Sequence, residues 1–196
     1  MPYDENFYRM YREYLQEQVV RQNHDHVFTL FSSLMLPETP RIIDLGCSIG
    51  EYAIYDSHHT AYAGIDLNNT SGVANFVQAD YTTLSFKELL PFVPNSFISL
   101  FSIECCHPVK IRYALYEKLF TEFPSIRCGL AGGFFYASRR DKETVSETGD
   151  IVSYQSIEDP AQYISRIFTE LRVHLQTPST MFGQDVVEVW KFFVRK

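Results

Sequence analysis

The residues best suited to chemistry are a set of acids around a glycine-bearing turn. In R-I-I-D-L-G-C-S-I-G-E-Y, residues 41–52, an apolar strand-like run meets Asp44 and passes at once into the turn Gly46-Cys47-Ser48-Ile49-Gly50. Glycine has no Cβ, so a backbone carrying it turns tightly and comes close to a ligand. At the carboxyl end of a parallel strand such a turn is where nucleotide-like groups bind. Asp66 lies roughly 20 residues past the turn, the offset at which an acid accepts both ribose hydroxyls. Asp80, one strand further on, is placed to reach an adenine amino group. Two acids on one site disfavour a second phosphate-bearing moiety, because anion would face anion. A further strand ends in F-S-I-E-C-C-H, residues 101–107, which puts His107 near the same edge. Histidine titrates near neutral pH and can take a proton from a hydroxyl or phenol.

These residues need a scaffold that brings strand ends together, and the hydrophobic pattern supplies one. Apolar residues recur at three- and four-residue steps through Phe7, Met10, Tyr11, Tyr14 and Leu15, then Val27, Leu30, Phe31 and Leu34. This predicts helix from Glu5 to about Leu36, stopped by Pro37 and Pro40. Arg41 to Leu45 reads as a buried central strand. A short helix is expected over Glu51 to Ser57, strands at A-Y-A-G-I-D ending on Asp66 and at Phe76 to Ala79, and a short helix or turn over Leu84 to Leu90. A strand at Ser96 to Ile103, a helix from Val109 to Phe123 and a strand within Ile126 to Ser138 follow. Arg139 to Glu158 is polar and poorly periodic and reads as a loop or insertion. A helix is expected from Pro160 to about Leu171, then a closing strand pair, Val173 to Gln176 and Val186 to Arg195.

Strands alternating with helices predict an α/β fold, a doubly wound and mainly parallel seven-stranded sheet with helices on both faces. Its C-terminal strand is antiparallel, and the helical segment forms an N-terminal extension. Residues 1–38 are assigned to that segment, which covers the site as a lid or simply packs as core, and residues 39–196 to the cofactor-binding domain.

Composition narrows the partners. The chain has 196 residues, which suits one domain with an appended segment. Its net charge of −7 opposes nucleic acid, whose phosphates supply most non-specific affinity. No apolar run approaches the ~20 residues that span a bilayer, so no membrane partner is expected. The N-terminus is polar and acidic, unlike a secretory signal. Cys47, Cys105, Cys106 and Cys128 have no C-x-x-C spacing, which fits free thiols in a reducing cytoplasm. His58-His59 and His24-x-His26 lack the acids or thiols of a metal site, so no metal is expected.

With these motifs in place the chain resembles the class I S-adenosylmethionine-dependent methyltransferases from about Arg41 onward. The family's first motif, an acid followed by glycines at alternate positions, matches Asp44-Leu45-Gly46-Cys47-Ser48-Ile49-Gly50, with Ser48 standing where the middle glycine would be. The acids of the second and third motifs match Asp66 in G-I-D-L-N and Asp80 in V-Q-A-D-Y. L-P-F-V-P-N-S-F, residues 90–97, and residues 101–107 match the approach to the fourth strand and the loop beyond it. Ile98 replaces a usual acid, and the segment between Asp80 and Leu90 is longer than usual.

The resemblance implies S-adenosyl-L-methionine as cofactor. It implies that Asp44, Gly46, Cys47, Ser48, Gly50, Asp66, Leu67, Asp80, Tyr81, Ser102 and Ile103 hold it, with Glu104 and His107 as catalytic candidates. The E-C-C-H stretch lacks the Asn-Pro-Pro-aromatic pattern of amino-group methylation on bases, which together with the acidic charge points to a small-molecule acceptor. Two other classes stay open. One is an S-adenosylmethionine-binding sensor or inactive partner subunit. The other is a nicotinamide-dependent oxidoreductase, although its G-x-G-x-x-G fingerprint is not met here.

Overall fold

The protein is described from a computed structural model. It describes residues 5–35, 38–50, 61–67, 75–83, 85–99, 109–136, 144–145, 151–152, 168–181 and 184–195. Two helices lead, α1 (Glu5–Gln16) and α2 (Gln18–Met35). The continuous helical periodicity of the sequence is broken at Glu17, whose amide turns back to the Tyr14 carbonyl at 3.1 Å, one residue short of the α-helical partner. β1 (Arg41–Leu45), β2 (Ala61–Asp66) and β3 (Phe76–Gln78) follow, then α3 (Phe86–Leu89), β4 (Ser96–Ser99) and α4 (Val109–Glu122). β5 (Cys128–Tyr136), β6 (Thr144–Val145), β7 (Ile151–Val152), β8 (Phe168–Met181) and β9 (Gln184–Arg195) complete the described elements.

The sheet is mixed and mainly parallel, in the order β3-β2-β1-β4-β5-β9-β8. β1 pairs parallel with β2 and β4, β2 with β3, and β4 with β5. β9 runs antiparallel between β5 and β8. The chain thus starts at the centre, winds out to β3, and returns across β1 to β4. The strand order reverses between β1 and β4, and beyond the carboxyl ends of the strands at such a reversal is where open α/β sheets take their ligands.

Side chains alternate across each strand, and the core divides accordingly. Ile42, Tyr62, Ile98, Cys128, Leu130, Trp190 and Phe192 join one buried cluster with Val27, Phe28, Phe31 and Met35 of α2. Their sequence neighbours Ile43, Phe97, Ala131 and Phe193 join another with Phe86 of α3 and Leu115, Tyr116, Leu119 and Phe120 of α4. Phe97 anchors the second cluster, its ring centroid 5.6–5.7 Å from those of Tyr116, Phe120 and Phe193. At the amino edge of the sheet, buried Asn95 joins three segments. Its Oδ1 accepts from the Arg41 amide at 2.8 Å and its Nδ2 donates to the Thr39 carbonyl at 2.9 Å. Its own carbonyl accepts from the Arg127 amide at 2.7 Å.

Three expectations need correction. The helix read as ending near Leu171 gives way to strand by Phe168, because Leu171, Val173 and Leu175 alternate with polar residues and pair along β9. The closing strands are longer than the short pair expected, and β8 tolerates Pro178 because it lies at the sheet's edge, with a register shift between Gln176 and Thr180. Within Arg139 to Glu158, β6 and β7 pair antiparallel as a separate two-stranded ribbon instead of plain loop. The helix expected over Glu51 to Ser57 and the start of the one expected from Pro160 lie outside the described residues.

Candidate functional site

The glycine turn leaves the end of β1 through three left-handed residues. Gly46 has φ 69°, Ser48 φ 52° and Gly50 φ 71°. Two glycines take this conformation without strain; Ser48, at the family's middle glycine position, bears roughly 1–2 kcal/mol for it. Short backbone bonds fix the turn. The Gly50 amide donates to the Cys47 carbonyl at 2.7 Å, and the amides of Gly46 and Cys47 both donate to the Ile65 carbonyl, at 2.7 and 3.2 Å. The Ser48 amide donates to Asp66 Oδ2 at 2.8 Å. The loop after β1 is therefore stitched to the last two residues of β2, and the carboxylate expected to face a ribose is also the one that holds the strained residue.

Asp66 is 9 % exposed, so it lies at the lip of the loop with little water around it. Its carbonyl accepts from the Ala79 amide at 2.9 Å, and the carbonyl of Leu67 accepts from Gln78 Nε2 at 3.0 Å. Leu67 itself is exposed, an apolar side chain presented beside the acid. Asp80 is exposed, and its Oδ1 accepts from both the amide and the hydroxyl of Thr82, at 2.9 and 2.6 Å. This turn fixes the Asp80 carboxylate beyond the end of β3. The ring of Tyr81, by contrast, is buried in the cluster of Ile43, Leu45 and Ile65.

Asp44 is 1 % exposed, and its Oδ2 accepts a short hydrogen bond from the Tyr62 hydroxyl. Cys47 is buried against β2: a Cβ added to Gly64 would come within 2.7 Å of its Sγ. The structure thus brings Asp44, Gly46, Cys47, Ser48, Gly50, Asp66, Leu67 and Asp80 to one edge of β1, β2 and β3. Ser102, Ile103, Glu104 and His107 lie outside the described residues. Among the described residues no group of histidine, cysteine and acids forms a metal site. No helix among them is long and apolar enough to cross a membrane.

Sequence reasoning missed Tyr62 and Gly64. Their signal was the pairing of β1 with β2, which sets Gly64 opposite Asp44 and Tyr62 on its diagonal.

An edge carrying the carboxylates of Asp66 and Asp80, with Asp44 buried beneath, a preformed backbone loop and an exposed apolar side chain suits a neutral-sugar nucleoside better than a pyrophosphate. No family model matches the chain, and no curated protein matches it in sequence. Solved structures do match. The N-methyltransferase NodS from Bradyrhizobium japonicum WM9, in complex with S-adenosyl-l-homocysteine, superposes with TM-score 0.61 at 13% identity, covering 98% of this chain and 99% of that one. Magnesium protoporphyrin IX methyltransferase (ChlM) from Synechocystis PCC 6803, with bound SAM, gives TM-score 0.59 at 13% identity over 98% of this chain and 92% of that one. Streptomyces venezuelae DesVI gives 0.63 at 13% identity over 99% and 100%. Strand order, loop position and these superpositions agree: the chain has the fold of the class I S-adenosylmethionine-dependent methyltransferases.

Proposed function

We propose that the chain is a methyltransferase that uses S-adenosyl-L-methionine and transfers its methyl group to a small molecule. The observation that carries this reading is the bond from the Ser48 amide to Asp66 Oδ2, which preforms the loop and sets a carboxylate at its lip. The donor set fits the nucleoside. Asp66 would accept from the ribose hydroxyls, Leu67 would cover one face of the base, and Asp80 would accept from its amino group. The buried Asp44 carboxylate and the backbone of Gly46 to Gly50 would line the amino-acid end, and Ser102 and Ile103 are proposed as further ligand contacts. NodS was solved with S-adenosyl-l-homocysteine and ChlM with SAM, and the shared fold supports the same ligand here.

When bound, S-adenosylmethionine supplies an electrophilic methyl carbon on a sulfonium. The chain's task is then to hold the acceptor atom about 3–3.5 Å away and in line, which accounts for most of the rate such a site can generate. His107 is proposed to take the proton of a hydroxyl or phenol acceptor, and Glu104 to orient it. The architecture is proposed to be the full doubly wound, seven-stranded sheet with helices on both faces. Residues 1–38 are proposed as the covering segment. Tyr8, Tyr11 and Tyr14 of α1 are all buried, and α1 lies against α2 and β8, which favours a core role for that tyrosine face, so a covering role would fall to the rest of the segment.

Titration calorimetry with S-adenosylhomocysteine, S-adenosylmethionine and NAD tests the ligand. Binding of the first two and not the third is expected; binding of NAD alone would overturn the reading. Conversion of S-adenosylmethionine to S-adenosylhomocysteine in the presence of a small-molecule extract separates an enzyme from a sensor.

A further inference from the structure

We propose that Tyr62 is a positioning residue for the ligand loop: its hydroxyl orients Asp44, so that affinity at the loop depends on a group lying beneath it in the sheet. In the β1–β2 register Ile42 pairs with Tyr62 and Asp44 with Gly64. Side chains two apart on a strand share a face, so Tyr62 lies diagonal to Asp44, within reach of a long side chain. Gly64 leaves the space between them open. A Cβ there would stand 2.7 Å from Cys47 Sγ, so the loop residue Cys47 occupies ground that a side chain at 64 would take, and 3.5 Å from Tyr62 Cε1, in ordinary contact with its ring. Tyr62 is 4 % exposed and Asp44 1 %. A carboxyl group so deeply buried is costly unless donors are directed at it, and the Tyr62 hydroxyl is such a donor.

The consequence for the loop follows from chain order. Asp44 precedes the first left-handed glycine by two residues, and the Gly46 amide is already fixed on the Ile65 carbonyl at 2.7 Å. The rotation of the Asp44 side chain also bears on the head of the loop, and the Tyr62 hydroxyl helps to set it. The rest of Tyr62 belongs to the buried cluster that α2 closes through Val27, Phe28 and Phe31. The seating of α2 is thereby linked to the direction of the loop acid.

This role rests on the S-adenosyl ligand proposed above, and one set of measurements separates the two. Wild-type protein is titrated with S-adenosylhomocysteine; no binding would overturn the ligand and leave nothing for Tyr62 to position. With binding in hand, Tyr62→Phe keeps the ring and deletes only the hydroxyl. Affinity per folded molecule should fall about tenfold, consistent with losing a hydrogen bond to a charged group, while the circular dichroism of the folded protein is retained. In an Asp44→Ala background the same Tyr62→Phe change should have no further effect on affinity. A Tyr62→Phe protein that is less stable but binds as wild type would make Tyr62 a core residue only. An equal loss of affinity in the Asp44→Ala background would show that the hydroxyl acts through another group. Should Asp44→Ala fail to fold, the single substitution still decides, because unchanged affinity alone overturns the proposal.

Discussion

Replacing Asp66 with alanine tests the site most directly, because its carboxylate has two tasks whose sizes can be separated. The first is internal. Ser48 at φ 52° carries roughly 1–2 kcal/mol of left-handed strain, and its amide bond to Asp66 Oδ2, at 2.8 Å, is worth about 1.5–3 kcal/mol as a hydrogen bond to a charged group. The bond is of a size to offset the strain, and with the backbone bonds of the turn it holds the loop formed before a ligand arrives. The second task is the proposed pair of bonds to the ribose hydroxyls. Asp66→Ala removes both and should weaken S-adenosylhomocysteine binding roughly a hundredfold, about 2–3 kcal/mol. Adding Ser48→Gly relieves the strain at a smaller entropic cost of about 0.5–1 kcal/mol, so the double variant should recover a few-fold of affinity and no more. A ligand lacking the 2′-hydroxyl should bind more weakly than the parent to wild type but equally to Asp66→Ala. Calorimetry on protein checked for folding reads all five values. An Asp66→Ala protein that binds within twofold of wild type would refute both the latch and the ribose contact.

Three further outcomes follow from the scaffold. Gly129→Ala would place a Cβ 1.9 Å from Phe97 Cε1 at the centre of the aromatic core; the ring cannot move away, so urea unfolding should show a loss of about 3 kcal/mol or more, and a loss below 1 kcal/mol would refute the packing. Asn95→Ala removes two side-chain hydrogen bonds that join the starts of β1 and β4 and should cost about 2–3 kcal/mol of stability, read by the same assay, with ligand affinity per folded molecule unchanged. Burial first, and then the Glu38 carboxylate, push the Cys128 thiol from 9.0 up to about 12. The folded state therefore keeps its proton across a range where the unfolded chain releases it, and stability falls as pH rises through that window. Cys128→Ala should flatten that part of the curve, and an unchanged slope would refute the shift.

The sequence located β1 and β2 to the residue because each is a short apolar run ending in an acid beside a turn, where strand and ligand chemistry coincide. The glycine loop and Asp66 were legible for the same reason. The link from Tyr62 to Asp44, 18 residues apart, was not, because it exists only once the register of β1 and β2 is known. The helix expected to reach Leu171 failed on a different ground. Phe168 to Leu171 has no helical obstacle of its own, and it is the ladder to β9, a tertiary interaction, that makes it strand. The break at Glu17 was likewise invisible, since the apolar spacing continues across it.

The order in which the core closes has a consequence for synthesis. α2 is made long before β9, yet its buried face is completed by Trp190 and Phe192 of β9, with His24 of α2 edge-on to the Trp190 ring at 5.0 Å. Chains fold from the amino end as they are made, at about 5–20 residues per second. During the seconds before β9 emerges, α2 has an apolar stripe and no finished surface to receive it. The nascent chain at that stage is the form on which a chaperone would find its binding site, and a polypeptide stalled before β9 should recruit one where the finished protein does not.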